Sequence, residues 1–470
     1  MMFKKLLTAT VLIATCNINA MPIEGFVMNG DDVTQEEYMD FQVQIRTHIG
    51  SCGGTLIGGK YILTARHCTP LWDDKFATDT TGHIDVWQGI EYQIDDNLAY
   101  SGQASFSRIE LQELKDNVRN QYEYYIKPEL ERYKEESGEN VLTHGFHSLD
   151  PTNETSNYLD VALIQLNGSI QQQDVGAVIP FSDFEGMVIN CPTDIYDHLS
   201  HPIGGQLTVR GWGLDENGHQ PSRMKKGNVK IIETDIHPLW ISWSEELQYW
   251  SIRFDTYVHL TVDAVNSQKS SRGDSGTGIV DEEGKVLAMV NSTSGISTVS
   301  NYHTFTGYYD WLLRSINELN APTAIIEVFA DAGVHQYQWP VRVQNLSELT
   351  VSLVPELVDN QPQDDSRVFT LSDECNTSLA PGEWCDATLS FNSDNVWIDK
   401  HIGTTIAYND SLHGDTTTIV NIMQYVAPEE PTEPEEPDAP TQPPSEDGSS
   451  GGALSWIALL ALLQLAIRRR

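Results

Sequence analysis

Basic residues are scarce. Lys and Arg total 28 against 67 Asp and Glu in 470 residues, a formal net charge of −39. Such a surface repels phosphate backbones, which argues against nucleic acid as a partner. Solubility outside the cell or in salty water accounts for the charge without any partner. Cysteine is sparse too, at six residues. His144 and His147 stand close together with no further ligand grouped around them, so the sequence suggests no metal or cofactor. No apolar run reaches the roughly 18 residues of an ordinary membrane helix. The run from Ala453 to Ile467 has 15. As a helix it would be about 22 Å long, a marginal anchor against a hydrocarbon core of roughly 30 Å.

What is present at the two ends points to export. Lys4 and Lys5, an apolar stretch from Leu6 to about Ala14 and the small-residue exit Ile18-Asn19-Ala20 read as a signal peptide over 1–20. Cys16 as a lipid-attachment cysteine is the alternative, though Thr15 fits that poorly. Residues 427–450 carry eight carboxylates and seven prolines with no basic residue, an extended spacer that cannot bury a core. Gly451-Gly452, the short apolar run and Arg468-Arg469-Arg470 follow. This order over 451–470 resembles the GlyGly-CTERM tail of Gram-negative bacteria. The resemblance implies a transient hydrophobic sorting helix in the inner membrane, cutting by a rhombosortase and type II secretion to the outside or the outer cell surface. A plain anchor that is never cut is the other reading.

Between the ends lie about 400 residues, too many for one ordinary core. Up to about 320 the chain holds most glycine-rich motifs, histidines and tryptophans. Beyond it come alternating stretches at 324–329, 349–353, 387–391 and 416–422, the pattern of a small β-sandwich over 322–426. Its segment 375–391 looks like the turn and strand of bacterial immunoglobulin-like modules, with Cys375 and Cys385 close enough to bridge. Leu111, Leu114, Val118, Tyr122 and Tyr125 recur at helical steps until Pro128. They predict an amphipathic helical insertion at about 103–138, packed on a β domain or serving as a partner-binding helix.

Three short motifs carry chemistry. In CGGTLIGGKYILTARHC, residues 52–68, a strand, a Gly58-Gly59 turn and a second strand lead to His67. Cys52 and Cys68 flank this hairpin and could close a disulfide that fixes it, as an exported protein permits. In YLDVALIQL, residues 158–166, Asp160 heads an apolar strand. A partly buried carboxylate there needs a partner such as a histidine ring. In RGDSGTG, residues 272–278, Ser275 sits between glycine-bearing turns.

Together these resemble the chymotrypsin or trypsin family of serine proteases, whose chain order is histidine, aspartate, serine. Gly211-Trp212-Gly213, Phe41-Gln42-Val43 and Tyr302 to Trp311 also match, so the resemblance spans residues 27 to about 315. It implies an all-β fold, a double six-stranded barrel over 27–320 carrying the helical insertion and followed by the sandwich. It also implies a secreted endopeptidase acting on protein or peptide substrates, and a monomer is expected. His67, Asp160 and Ser275 would be the triad, with the N–H groups of Gly273 and Ser275 as oxyanion hole. Asp274 would pair with the α-amino group of Val27 once a short propeptide, 21–26, is removed. The protein would thus be a zymogen needing an activating protease, although Phe26-Val27 is an odd bond for that family.

The sequence departs from the family at several places. Lys269 stands at the base of the specificity pocket, where trypsin-like members have aspartate; Asn291, Thr293 and Ser300 complete the pocket. If Lys269 points inward, an acidic residue before the scissile bond is preferred; if it folds back, the pocket is an apolar slot. Ser271 replaces a bridging cysteine and Asn291 a serine that supports the triad aspartate. Arg66 and Thr277 replace small residues beside the reacting groups. These last two could distort a reacting group and keep a second reading open, a catalytically impaired protease fold acting as an adhesin or binding surface. Cys191 remains without a partner, as a buried free thiol or an intermolecular link, with burial favoured.

Overall fold

A computed structural model describes residues 27–424, apart from 75–76, 111–140 other than 113, 116 and 135, 145–159, 181–204, 216–217, 236–238, 245–248, 255–258, 294–298, 306–307, 330–335, 359–368, 393–400, 411 and 413. The expected signal peptide, propeptide, acidic spacer and Gly-Gly tail lie outside the described residues, as do Cys16 and Cys191. Among the described residues no helix is long and apolar enough to cross a membrane.

Six strands close the first barrel in the order Gln42–Arg46, Ser51–Ile57, Tyr61–Thr64, Ala162–Leu166, Leu98–Ser107, Asp79–Trp87. Side chains alternate as strand geometry demands. Ile84 and Val86 point inward around Asp85, and Ala104 and Phe106 around Ser105. The tight connection before Tyr61 needs two left-handed residues. Gly58 (φ 55°) and Gly59 (φ 68°) supply them without a Cβ penalty.

The second barrel follows the pairings of Gln206–Gly211 with Lys225–Asp235, then His259–Ala264, Val299–Thr304, Lys285–Thr293, Gly278–Val280 and back to Gln206–Gly211. Its core of Leu207, Val209, Val229, Ile231, Leu260, Val262 and Tyr302 also takes in Val27. The helix Tyr309–Ile316 buries Trp311, Leu312, Leu313 and Ile316, and Asn317 in the left-handed region (φ 46°) ends it. A separate three-stranded sheet pairs Leu239–Ser244 with Tyr249–Phe254, and the latter runs parallel to Val141–His144.

After Asn317 the chain enters two further sheets that enclose a core of Trp339, Val341, Val343, Leu353, Phe369, Leu389, Phe391, Ile406 and Val420. One sheet orders Glu318–Asn320, Gln336–Leu346, Trp384–Asn392 and Phe369–Leu371. The other orders Ala324–Phe329, Gly414–Gln424, His401–Asp410, Val351–Val358 and Thr377–Leu379. Cys375 and Cys385 are bridged.

Two expected boundaries move. The helical insertion cannot begin at 103, because residues to Ser107 complete a barrel strand; Glu113, Asp116 and Glu135 are helical and the rest of the pattern lies outside the described residues. Helical and strand periodicity merge where a strand ending in apolar residues abuts a helix. The sandwich begins before 322, because Glu318–Asn320 pairs with residues 344–346 of its sheet.

Three fully buried amides sit where the barrels meet the sandwich, and two of them, Asn320 and Gln344, bridge the two. Gln172 accepts from the Gly59 N–H at 2.8 Å and donates to the carbonyls of Leu56 and Asp174. Asn320 accepts from the Gly58 N–H at 3.0 Å and donates to the Gly176 carbonyl. Gln344 accepts from the Val178 N–H at 3.0 Å and donates to the carbonyls of Val178 and Gly382 at 2.7 and 3.0 Å. Each side chain pairs with backbone as a neighbouring strand would, leaving no buried polar group unmet there.

Replacing Gln344 by methionine keeps volume and strips Val178 and Gly382 of these partners. It is expected to cost about 3 kcal/mol of stability, read as a shift of the urea midpoint. The same change at exposed Gln338 should move stability by no more than about 0.5 kcal/mol.

Candidate active site

His67 sits in a single 3-10 turn, Arg66–Cys68, that the Tyr61–Thr64 strand delivers to the barrel's end. Asp160 lies just ahead of the Ala162–Leu166 strand, which is the barrel neighbour of Tyr61–Thr64. Adjacent strands therefore bring the two side chains together across 93 positions of sequence. Asp160 Oδ2 lies 2.7 Å from His67 Nδ1, and Oδ1 accepts the His67 backbone N–H at 2.8 Å. The carboxylate side chain is 4% exposed and the imidazole 28%. A dry carboxylate thus fixes the ring while one ring edge stays open to solvent.

Ser275, from the second barrel, meets the first through its backbone beside the histidine turn. Its carbonyl accepts the Gly53 N–H at 2.9 Å and lies 3.7 Å from Cys68 Sγ. Cys52 and Cys68 are bridged, so the histidine turn, the Ser51–Ile57 strand and the serine backbone meet at one disulfide. Cys52, His67 and Cys68 also group closely enough to hold an ion. Both sulfurs are consumed in the bridge, so the group has no thiolate to offer a metal. The serine turn is pinned on its other side, where the Gly276 N–H donates to the Val290 carbonyl at 2.7 Å and the Val290 N–H to the Thr277 carbonyl at 2.9 Å.

Asp274 is completely buried beneath that turn. Its carboxylate accepts the N–H groups of Gly213 at 2.8 Å and Ser271 at 2.9 Å, and that of Val27. A Cβ on Gly211 or Gly213 would meet the carboxylate oxygens at 2.1 and 2.7 Å, so the Gly-Trp-Gly motif leaves room for this charge. Gly273, with φ 106° and its Cα side packed on Gly213, turns the chain immediately before. Burial pushes the Asp274 pKa up to about 6, against the pull of the three N–H donors.

Three of the departures from the family pattern find a place. The Arg66 side chain turns away from the histidine and is 2% exposed; its guanidinium donates to the carbonyls of Leu71 and Asp74 at 3.0 and 3.3 Å. The Ser271 hydroxyl donates to the Leu214 carbonyl at 3.2 Å, and the Leu214 N–H returns to the Arg272 carbonyl at 3.0 Å. Hydrogen bonds thus tie the rim where a disulfide was missed. Thr277 fits because it faces Gly53, where a Cβ would come within 1.8 Å of the threonine hydroxyl.

Of the expected pocket residues, Lys269, Asn291 and Ser300 are buried at 7%, 7% and 2% exposure. Lys269 also pairs by backbone with Met28, whose N–H it accepts at 2.7 Å. Thr293 is on the strand that pairs with Ser300. Ser270, just after Lys269, accepts the hydroxyl of fully buried Tyr302 at 3.0 Å. Sequence reasoning overlooked Trp72, which packs edge-on to His67 with centroids 6.0 Å apart. Its one local signal is a tryptophan five residues after the histidine.

The sequence profile described as Trypsin matches residues 27–120 and 118–312. Among solved structures, the VesB protease of Vibrio cholerae is 17% identical, covering 84% of this chain and 99% of its own, with a TM-score of 0.35. The secreted serine protease VesC of the same organism is 16% identical, covering 85% of this chain and 72% of its own, with a TM-score of 0.34.

Two measurements test these contacts. Gly53→Ala alone should cost more than about 2 kcal/mol, and pairing it with Thr277→Gly should recover at least about 1 kcal/mol in an unfolding double-mutant cycle. The folded pKa of Asp274 lies above the unfolded value of 3.8, so the native chain holds a proton that the unfolded chain has released between the two. Stability should therefore fall as pH rises from about 4 to 6, by about 3 kcal/mol from this group. Asp274→Asn in the uncut chain should remove that part of the decline in melting temperature; an unchanged slope would show that Asp274 does not supply it.

Proposed function

The chain belongs to the trypsin family, and we propose that it is a secreted serine endopeptidase, made as a zymogen, whose triad is His67, Asp160 and Ser275. The single observation that carries this reading is the double hold of Asp160 on His67, ring nitrogen and backbone N–H together, beside the Ser275 turn. In this reading the Ser275 hydroxyl attacks the substrate carbonyl as His67 Nε2 takes its proton. Asp160 keeps the other ring nitrogen protonated and stabilises the imidazolium. The N–H groups of Gly273 and Ser275 receive the oxyanion, each worth about 3 kcal/mol of barrier. The imidazolium then returns its proton to the leaving amine, and water, activated by the same ring, hydrolyses the acyl-enzyme.

Activation follows from the Val27 contact. Cutting after Phe26 would turn the Val27 N–H into an ammonium facing a buried carboxylate whose partners among the described residues are backbone N–H dipoles. The new ion pair would hold Asp274 charged and the adjoining Gly273-Ser275 backbone in its oxyanion geometry. The activating protease is a separate partner. Lys269, Asn291, Thr293 and Ser300 are assigned to the pocket for the residue before the scissile bond. The signal-like start implies export, and the Gly-Gly tail implies handling by a rhombosortase and type II secretion. The sandwich after Asn317 is assigned as an immunoglobulin-like module.

The test uses protein beginning at Val27, with Ser275→Ala as control, on peptides varied at the residue before the scissile bond. Cleavage and fluorophosphonate labelling are expected, with kcat/KM reduced about 10⁴-fold or more by Ser275→Ala. Cleavage after acidic residues places Lys269 in the pocket, and cleavage after apolar residues turns it away. No cleavage and no labelling from a folded, processed sample would overturn the triad and favour a binding surface.

A further inference from the structure

Where the first barrel meets the sandwich, two carboxylates stand together with no cation paired to either among the described residues. Asp40, just ahead of the Gln42–Arg46 strand, accepts the N–H groups of Gln173 at 2.6 Å and Asp174 at 2.8 Å. Its own N–H donates to the Asp174 carboxylate at 3.3 Å. Burial, with Asp174 beside it, pushes the Asp40 pKa up to about 7, and burial raises that of Asp174 as well. Two backbone donors account for Asp40. Among the described residues, that one long hydrogen bond is all that meets the Asp174 side chain.

Asp174 lines a pocket of about 260 Å³ between the barrels and the sandwich. Met39 and Phe41 give it an apolar wall from the barrel side, and Pro340 from the sandwich. The cation in this lining, Arg342, is already engaged: it holds Asp386 by both carboxylate oxygens at 2.7 and 3.3 Å and donates to the Glu283 carbonyl at 2.9 Å. Glu283 is paired in turn with Lys285 at 2.5 Å. The charges left over are both negative, Asp174, partly buried, and Glu282, exposed on its turn.

The pocket is smaller than the roughly 300–1,000 Å³ of sites that enclose a whole small ligand, so it suits one long side chain whose backbone stays outside. Lysine and arginine have the matching shape, an apolar stem for Met39, Phe41 and Pro340 and a cationic head for Asp174 and Glu282. Such a head would compensate the carboxylate pair that the fold leaves without one. A net charge of −39 also draws basic partners from a distance.

We infer that the pocket between the barrels and the sandwich is a docking site for a protein partner, which inserts an exposed lysine or arginine side chain into it. The partner touches both folded parts at once, so the sandwich takes part in recognition. Docking does not depend on the triad.

The test uses the full chain carrying Ser275→Ala, so that no probe is cut, with isotope-labelled methionine methyl groups read by NMR. Met39 lines the pocket, and Met39→Leu assigns its signal. Short capped alanine peptides carry Lys, Arg, norleucine or Glu at the centre, and n-butylamine serves as the free amine. The Lys and Arg peptides should shift the Met39 signal saturably, binding at least about tenfold tighter than the norleucine or Glu peptides. Asp174→Asn should weaken the Lys peptide about tenfold, and so should Glu282→Lys, a charge reversal on an exposed turn that leaves the core untouched. Glu356→Gln, exposed on the Val351–Val358 strand, should change it by less than about twofold. No saturable shift with either basic peptide overturns the inference. So does equal binding of norleucine, which would make the pocket merely apolar. Binding that survives both Asp174→Asn and Glu282→Lys would put the cation elsewhere on the acidic surface and overturn it too. Butylamine bound as tightly as the peptides would assign the pocket to free amines and remove the protein partner.

Discussion

A carboxylate sealed from water beneath the serine turn constrains more of this chain than any other group. Asp274 has no exposed surface, and its nearest partners are backbone N–H groups. Dipoles alone leave it reluctant to ionise, which is why its pKa rises to about 6. Accommodating it dictates glycine at 211 and 213 and brings the 27–30 segment into the second barrel. The conformation of Gly273 and Ser275 follows, because they flank the aspartate. An asparagine would turn an NH2 donor against one of these N–H groups, because each carboxylate oxygen accepts one of them, so the fold itself calls for two acceptors here.

The proposed reacting groups depend on simpler geometry. His67 and Asp160 come from neighbouring strands of one barrel, and Ser275 from a turn of the other. Relative motion of the barrels would carry Ser275, the proposed nucleophile, away from that pair. The contacts that oppose it are Gly53 N–H to the Ser275 carbonyl and the Gln42 amide to the Gly278 carbonyl. The sandwich adds to this rigidity from behind. Gln344 and Tyr309 both bond to Val178, whose strand runs beside Lys285–Thr293, and that strand carries Asn291. The module after Asn317 is therefore packed as part of the same unit and is not a loosely tethered accessory.

Local motifs made much of this legible in the sequence. The hairpin before His67 was readable because glycines at 58 and 59 punctuate two apolar strands. Asp160 was readable as a charge at the head of a strand that could not bury it alone. What escaped was nonlocal. The fit of Thr277 depends on Gly53, more than two hundred positions away, and the tie that replaces a missing disulfide runs from Ser271 to Leu214. Neither pairing leaves a periodic trace. The helical pattern beyond residue 106 absorbed the end of a strand because Phe106 is apolar in either register. The sandwich's first strand, Glu318–Asn320, is too short to announce itself beside a helix end.

Arg66 shows how a departure from a family pattern turns from a threat into a feature. In sequence it crowds the histidine with a large cation. In three dimensions the same cation is spent on carbonyls of its own loop and on the face of Trp72. A small residue at 66 would leave that loop without its internal donor and the indole without its brace, so the two large side chains make sense only together. The pair stiffens a loop that otherwise holds only a short turn.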